Sequence, residues 1–332
     1  MKFIPLIEHM RGSLPEIVHP GAIAVVNASG QLIRSAGDAQ ALSFTRSTLK
    51  PFQALPFLQS GGLKHFGFTQ KQTALLCASH NGEDMHVAQV DDMLRKVGQP
   101  YQALHCGCHV PLRFSYGGLT APEGLQFDER HNNCSGKHAG FLGYCVQHGH
   151  GLANYLAPEH PLQRAIYSSV LQATRAEPEQ LVAGVDGCSA PNYAMPLAKL
   201  AFAFARLASG SADAELGEPF ALLRDAMVQH PEMISGTARN DLAFTQVGRG
   251  DWITKIGADG VQVIASVSRQ EAVAIKVISG HMPALYAAAV VALDQLGWLD
   301  AQQREALKPW APQPTLNARG VQTGEVRAVF RL

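Results

Sequence analysis

The sequence contains little charge, and neither sign is in excess. Only 16% of the residues are charged, and 27 basic residues balance 27 acidic ones. It also has no dense run of lysine and arginine. Proteins that bind nucleic acids depend on basic patches that neutralise phosphates, so this pattern argues against a nucleic-acid partner.

Long apolar runs are also missing. No stretch approaches the roughly twenty apolar residues that cross a membrane. The opening segment, 1–8, is too short in its apolar part for a signal peptide. We therefore expect a cytoplasmic protein with no membrane partner. There the six cysteines should be reduced, which favours packed core residues, metal ligands or reactive thiols over disulfides.

The chain is nevertheless long and apolar enough for a large core, with 332 residues of which 46% are hydrophobic. Short β-rich segments dominate about 1–45 and 245–332, and helical patterns dominate about 46–244. We see no internal repeat. This distribution predicts a single unit of residues 1–332 with an α+β fold. One antiparallel sheet would be built from both ends of the chain, around a helical middle region.

The residue pattern also indicates where individual helices and strands begin and end. Residues 21–34 predict a β-hairpin, and a helix should run from Ser47 to about 61–62. Residues 105–124 are typical of a loop. The remaining predicted helices cover about 69–78, 85–96, 135–146, 160–175, 194–209, 219–229 and 282–296. The remaining predicted strands cover about 252–256, 261–267, 271–279 and 324–332.

Ser47 and Lys50 lie three residues apart, so one helical turn places both on the same face. A serine becomes a good nucleophile when a base takes its proton, and a lysine in apolar surroundings can be that base. Pro51 indicates that the helix begins near Ser47, where free N–H groups favour an alkoxide. Because Lys50 precedes a proline, we expect it in a distorted turn. Alone, the motif also fits a capped surface helix.

Two further elements follow in order. Ser79 and Asn81 lie on a loop after a helix, where a hydroxyl can relay protons and an amide can hold a ligand. Lys255 ends a β-segment before Gly257 and Ala258, and it supplies a positive charge beside a possible oxyanion-hole N–H. This ordered trio is the motif set of the serine penicilloyl enzymes and their glutaminase relatives. Taken alone, Lys255 is also consistent with a solvent-exposed lysine at the end of a strand.

A second constellation joins Cys134 and Lys137, on one face of a helix start, with Cys188. Two thiolates and one nitrogen with an open position resemble a zinc site. A lysine ligand is unusual because its amine must first lose a proton, and His138 and His109 are more conventional candidates. Buried free cysteines are the alternative. The thiols of Cys106 and Cys108 are interpreted as structural.

Taken together, five stretches resemble a known family: 47–54, 78–83, 131–138, 186–188 and 255–260. They are similar to the Rhizobium etli-type (class 3) L-asparaginases, the AnsA-like asparaginase II family, from about residue 6 to 331. The resemblance implies a serine β-lactamase/glutaminase-like fold, a homodimer, and hydrolysis of L-asparagine to L-aspartate and ammonia by an amidohydrolase.

The resemblance also implies the site residues. It implies two catalytic tandems, Ser47–Lys50 and Ser79–Lys255, and a Zn²⁺ ion held by Cys134, Lys137 and Cys188. We expect Ser47 to form an acyl-enzyme, with Ser79 and Lys255 as the relay. The expected substrate-binding residues are Arg46, His80, Asn81, Lys137 and Asp186, of which Asp186 would bind the α-amino group.

Two alternatives remain open. A glutaminase or a β-lactam hydrolase would use the same three catalytic elements. From a different class, the cysteines could belong to a zinc-binding regulatory module without turnover, which would tolerate loss of Ser47.

Overall fold

The computed structural model describes residues 2–332. The strands are β1 (Ile4–Arg11), β2 (Leu14–Asn27), β3 (Leu32–Ala36), β4 (Leu42–Phe44), β5 (Val182–Val185), β6 (Pro191–Pro196), β7 (Trp252–Gly257), β8 (Val261–Ser266), β9 (Glu271–Val277), β10 (Pro314–Leu316) and β11 (Gln322–Ala328).

The α-helices are α1 (Lys50–Gln53), α2 (Leu55–Gln59), α3 (Gly62–Phe66), α4 (Gln70–Leu76), α5 (Asp84–Val97), α6 (Leu112–Tyr116), α7 (Ser135–Gln147), α8 (Pro161–Thr174), α9 (Leu197–Ser209), α10 (Gly217–Gln229), α11 (Pro231–Ile234), α12 (Asn240–Val247), α13 (Met282–Gln295) and α14 (Ala301–Leu307). Among residues 2–332, none of these helices combines the length and apolar character needed to cross a lipid bilayer.

The main sheet is antiparallel and contains strands from both ends of the chain. Its order is β10-β11-β1-β2-β9-β8-β7, with β3 also paired to β2. Strand β1 lies between β11 and β2, so that Ile7 pairs with Ala328. The predicted α+β fold, with one sheet from both ends and a helical middle region, is confirmed.

Helices cover both faces of this sheet. Side chains alternate along β2, so Ile23 and Val25 join the core under α13, while Ala22 and Ala24 join the larger core that contains α9. All of β7 and β8 is buried as well. A sheet covered on both faces reads as continuous apolar runs, which is why these strands were recognisable in the sequence.

The N-terminal strands extend further than predicted. The hairpin predicted at 21–34 is present as β2 and β3. However, β1 and the first half of β2 also form strands, although Pro5, Pro15 and Pro20 lie within them. The register between β1 and β2 shifts after Pro5 and after His9, and such irregularities accommodate prolines.

Two helix predictions need correction. The segment from Ser47 is broken into α1 and α2 after a 3₁₀ turn, and Pro51 and Pro56 each occupy the first turn of a new helix. Lys50 is regularly helical, with φ −56° and ψ −39°, so its expected distortion is wrong. The helix predicted at 194–209 begins only at Leu197, because β6 pairs with β4 and β5 in a second, three-stranded sheet.

Candidate active site

One cleft of about 330 Å³ brings the predicted motifs together. It lies where β7 ends, beside the 3₁₀ turn Arg46–Leu49 and the start of α7. The lining residues are Arg46, Ser47, Ser79, His109, Leu112, Tyr116, Asn132, Asn133, Cys134, Asp186, Gly187, Cys188, Arg239, Ile256, Gly257, Ala258 and Met282. Residues distant in sequence therefore share one pocket.

The hydroxyl of Ser79 lies between two buried lysines. Lys50 donates from Nζ to Ser79 Oγ over 3.0 Å, and Lys255 donates from Nζ to the same oxygen over 3.1 Å. Lys50 also donates to the carbonyl of Ala78. The predicted contact of Ser79 with Lys255 is present, whereas the Lys50 amine contacts Ser79 and not the Ser47 hydroxyl with which it was paired. One oxygen thus connects both amines.

The amine of Lys255 has a strongly lowered pKa. Complete burial is the largest effect, and it lowers the pKa of Lys255 to about 7. The carboxylate of Asp241, 3.7 Å away, opposes this shift, and the nearby charge of Lys50 adds to it. Asp241 is itself held by the Ile256 amide, which donates to its Oδ2 over 3.0 Å. No motif in the sequence pointed to Asp241.

Ser47 enters the cleft from a strained turn. It is 8% exposed and follows Arg46, whose φ of +47° lies in the left-handed region. The Asn192 side chain fixes this turn, because it accepts from the Arg46 amide over 3.0 Å and donates to the Arg46 carbonyl over 2.9 Å. The Arg46 guanidinium pairs with Asp186 over 2.8 Å and also with Asp259.

Strained backbone recurs around the cleft. Ser189, Ala238 and Asp259 have φ values of 67°, 60° and 59°, and each adjoins a residue that lines the pocket. Residues other than glycine are sterically strained in this region of φ, and such strain concentrates at functional sites. The clustering supports a functional interpretation of this cleft.

Arg239 is a cleft residue that the sequence reasoning missed. It is 3% exposed and donates to Asn81 Oδ1 over 3.0 Å, while its guanidinium stacks 3.9 Å from the centre of the Tyr116 ring. Within residues 2–332 its Nε has no hydrogen-bond partner. A buried arginine that lines a cleft suits an anionic ligand. A lone arginine in a polar loop carries no sequence signal for this role.

Three predicted substrate-binding residues do not line the cleft. The ring of His80 is fully buried and contacts Ser135 Oγ over 2.9 Å through Nε2. The amide of Asn81 is used by Glu83, Thr237 and Arg239. Lys137 donates to Cys188 Sγ over 3.1 Å. Their contacts suit a supporting role, and of the five predicted residues only Arg46 and Asp186 line the cleft.

The sulfur cluster beside the cleft has the donor set of a zinc site. The neighbouring Cys134 thiol is the main cause that lowers the pKa of Cys188 far below its ordinary value, and Lys137 acts in the same direction. The pKa of Cys134 is raised, first by Cys188 and then by burial.

A fourth donor lies beside this cluster. His138 is fully buried and contacts Leu104 O and Tyr155 Oη through Nδ1. Its Nε2 is close to Cys188 and has no hydrogen-bond partner within the described part of the chain. Three of these four donors, the two sulfurs and the His138 imidazole, are types that zinc prefers, and the Lys137 amine must lose its proton to join them.

The Cys106 region keeps its structural interpretation. Cys106 is buried and donates to Glu129 O over 3.5 Å, whereas Cys108 is exposed. His109 does reach the cleft, where its Nε2 accepts from the Asn133 amide over 3.2 Å.

Comparisons with known proteins identify the family. No curated protein matches the chain at a significant level. Among solved structures, a β-lactamase from Mycobacterium bovis is 16% identical, with a TM-score of 0.41, and the match covers 83% of this chain and 94% of that chain. The family model described as L-asparaginase II matches residues 7–328. This match extends over almost the whole sequence, as the motifs predicted, and the chain belongs to the L-asparaginase II family.

Proposed function

We propose that this protein is an L-asparaginase that hydrolyses L-asparagine to L-aspartate and ammonia through an acyl-enzyme on Ser47. One observation carries the mechanism: the Ser79 hydroxyl connects the amines of Lys50 and Lys255 at the wall of a cleft that Ser47 also lines. Family membership supports an amidohydrolase acting on asparagine.

The paired lysines explain how a neutral base can form. Two ammonium groups on one hydroxyl repel each other, and Lys255 has a pKa of about 7. When Lys255 is neutral, it can accept the Ser79 proton while Lys50 reprotonates Ser79. The net result is a neutral Lys50 and a charged Lys255, which Asp241 stabilises.

The first half of the reaction forms an ester. Ser47 Oγ attacks the side-chain amide carbon of asparagine, and its proton passes to neutral Lys50, whose amine must turn from Ser79 to reach it. The carbon–nitrogen bond then breaks, and Lys50 returns the proton through Ser79 to the leaving nitrogen, which departs as ammonia. Water then hydrolyses the aspartyl ester, releasing aspartate and restoring Ser47.

The developing oxyanion needs donors on the opposite side of the attacked carbon. The N–H groups of Ser47 and Ala258 are proposed for this role, because both residues line the cleft. The Asn192 clamp on Arg46 holds the Ser47 amide in a fixed direction. Donors that are positioned in advance need no reorganisation during the reaction.

The two charged ends of the substrate have opposite partners in the cleft. Asp186 Oδ1 is occupied by Arg46 and by the Gly187 amide, so Oδ2 is proposed to bind the substrate α-ammonium group. Arg46 is already paired with two carboxylates, whereas Arg239 contacts Ser79 O and Asn81 Oδ1 and no carboxylate in residues 2–332. Arg239 is therefore the preferred partner for the α-carboxylate.

Zinc remains part of the proposal. Cys134, Lys137 and Cys188 would hold the ion, with His138 as a further donor. A bound Zn²⁺ supplies a fixed positive charge that organises the cleft wall. Without it, the Lys137 ammonium beside Cys188 provides the local positive charge. The homodimer and the cytoplasmic location also remain proposals from the family resemblance, and light scattering tests the first.

The test is to trap the intermediate. We expect rapid acid quenching during turnover of L-asparagine to leave an aspartyl adduct on the peptide with Ser47, and none in Ser47→Ala. An adduct on Ser79 with Ser47 unmodified would reverse their roles. Comparing kcat/KM for asparagine, glutamine and a β-lactam distinguishes the related hydrolases. Full turnover by Ser47→Ala would favour a mechanism without this serine.

A further inference from the structure

A second cluster of metal-ligating side chains lies on the main sheet, outside the cleft. His9 is on β1, His19 is on β2, and His281 is the residue that precedes α13. The three rings are mutual neighbours: their centroids are 5.0 Å apart for His9–His19, 5.6 Å for His9–His281 and 4.4 Å for His19–His281. Three separate segments thus place imidazoles at one point.

Two of these rings have buried nitrogens that lack partners. Nε2 of His9 and Nε2 of His19 are buried and make no hydrogen bond in residues 2–332. His19 is only 6% exposed, and its other nitrogen, Nδ1, is 2.8 Å from Ser279 Oγ. If Nδ1–H donates to this hydroxyl, the Nε2 lone pair is left free. Leaving such atoms buried and unsatisfied is costly, whereas a metal ion would use them.

The spacing is close to that of a metal centre. One nitrogen from each histidine lies within 4.8 Å of the others. A tetrahedral zinc with Zn–N bonds of about 2.0–2.1 Å holds its nitrogens about 3.3 Å apart, so these nitrogens must approach one another by up to about 1.5 Å. His281 must also turn, because its ring is stacked on His19 at 4° and its Nδ1 accepts from the Ala284 amide over 3.3 Å.

We propose that His9, His19 and His281 bind a divalent transition-metal ion such as Zn²⁺, at a site separate from the sulfur cluster. Imidazole nitrogens suit ions of this class, and three histidines leave one position for water. The ion ties β1 and β2 to the start of α13. The next residue, Met282, lines the cleft, so metal binding here also fixes part of the cleft wall.

Metal analysis of the full chain tests this inference. The protein is stripped with a chelator, titrated with Zn²⁺ alone, and compared with the Cys134→Ser, Cys188→Ser double variant. We expect that double variant to retain about one zinc per chain, since three nitrogen ligands form one site. Adding His9→Gln or His281→Asn should remove it. Asparagine at 281 can still cap α13, so the fold is preserved.

Two further measurements complete the test. His148→Ala is the matched control, because the exposed His148 stacks against Tyr144 and His150, away from the three histidines, and its loss should leave zinc binding unchanged. Added Zn²⁺ should raise the melting temperature of the cysteine double variant, but not after His281→Asn. The proposal is overturned if the cysteine double variant binds no zinc, or if the histidine substitutions leave its zinc content intact.

Discussion

Asp241→Asn should move the acid limb of the pH–rate profile to lower pH. Asp241 and Lys255 are both fully buried, and charges 3.7 Å apart attract by about 4 kcal/mol at an effective dielectric constant near 20. At about 1.4 kcal/mol per pH unit, this attraction sets an upper limit of about three pH units. Burial still dominates, because the pKa of Lys255 lies at about 7 with Asp241 present.

The direction of this pH shift follows from the effect of the Asp241 charge on the pKa of Lys255. Asp241 raises the pKa of Lys255, so its neutralisation lowers that pKa further and makes the neutral amine available in more acidic solution. We expect the midpoint of the acid limb in kcat/KM to fall by about one to three pH units. The alkaline plateau should also fall, because a charged Lys255 is no longer stabilised during proton exchange.

The assay is ammonia release from L-asparagine, measured between about pH 5 and pH 10, a range that brackets the pKa of Lys255 at about 7. Asp251→Asn is the control, since Asp251 precedes β7 at its opposite end and accepts from Ser266 Oγ and the Ser268 amide. Its profile should keep the wild-type midpoint. An acid limb that stays in place, or moves to higher pH, in Asp241→Asn would refute the role given to Lys255.

Three further outcomes are expected. Ser47→Ala and Lys50→Ala should each reduce kcat by about 10³-fold or more, and the double variant should lose little beyond either one, since they act as a unit. Asn192→Ala removes both contacts that hold Arg46 at positive φ; kcat/KM should fall about tenfold, in line with strain of about 1–3 kcal/mol. Cys134→Ser or Cys188→Ser should lower the zinc content by about one ion per chain, measured by elemental analysis.

The fold was largely readable because its strongest signals are local. The apolar runs of β7, β8 and β9 and the hairpin of β2 and β3 are each visible within a few residues. The strands that the sequence did not predict depend on pairing partners that are distant in the chain. Strand β1 carries a proline and becomes a strand through pairing with β11, and β6 is extended because β4 and β5 lie beside it.

The site was predictable to the level of its motifs and no further. Ser47 and Ser79 line one cleft, and Lys50 and Lys255 reach its wall through the Ser79 hydroxyl. The atom that the Lys50 amine reaches depends on where the Ser79 loop packs, which spacing alone does not determine. Arg239 directly precedes α12 and Asp241 lies in its first turn, and neither belongs to a sequence motif. They gain their roles through burial against Tyr116 and Lys255.

The closure of the main sheet by both ends of the chain affects how the protein folds during synthesis. Strand β2 needs β9 beside it, with Ile23 paired to Ile275, and β1 needs β11. At a translation rate of about 5–20 residues per second, β2 waits roughly ten to fifty seconds after leaving the ribosome before β9 is made. Its apolar edge is exposed to chaperones or to aggregation for that time, while local helices can already form. A nascent chain released before β9 therefore lacks the centre of its sheet.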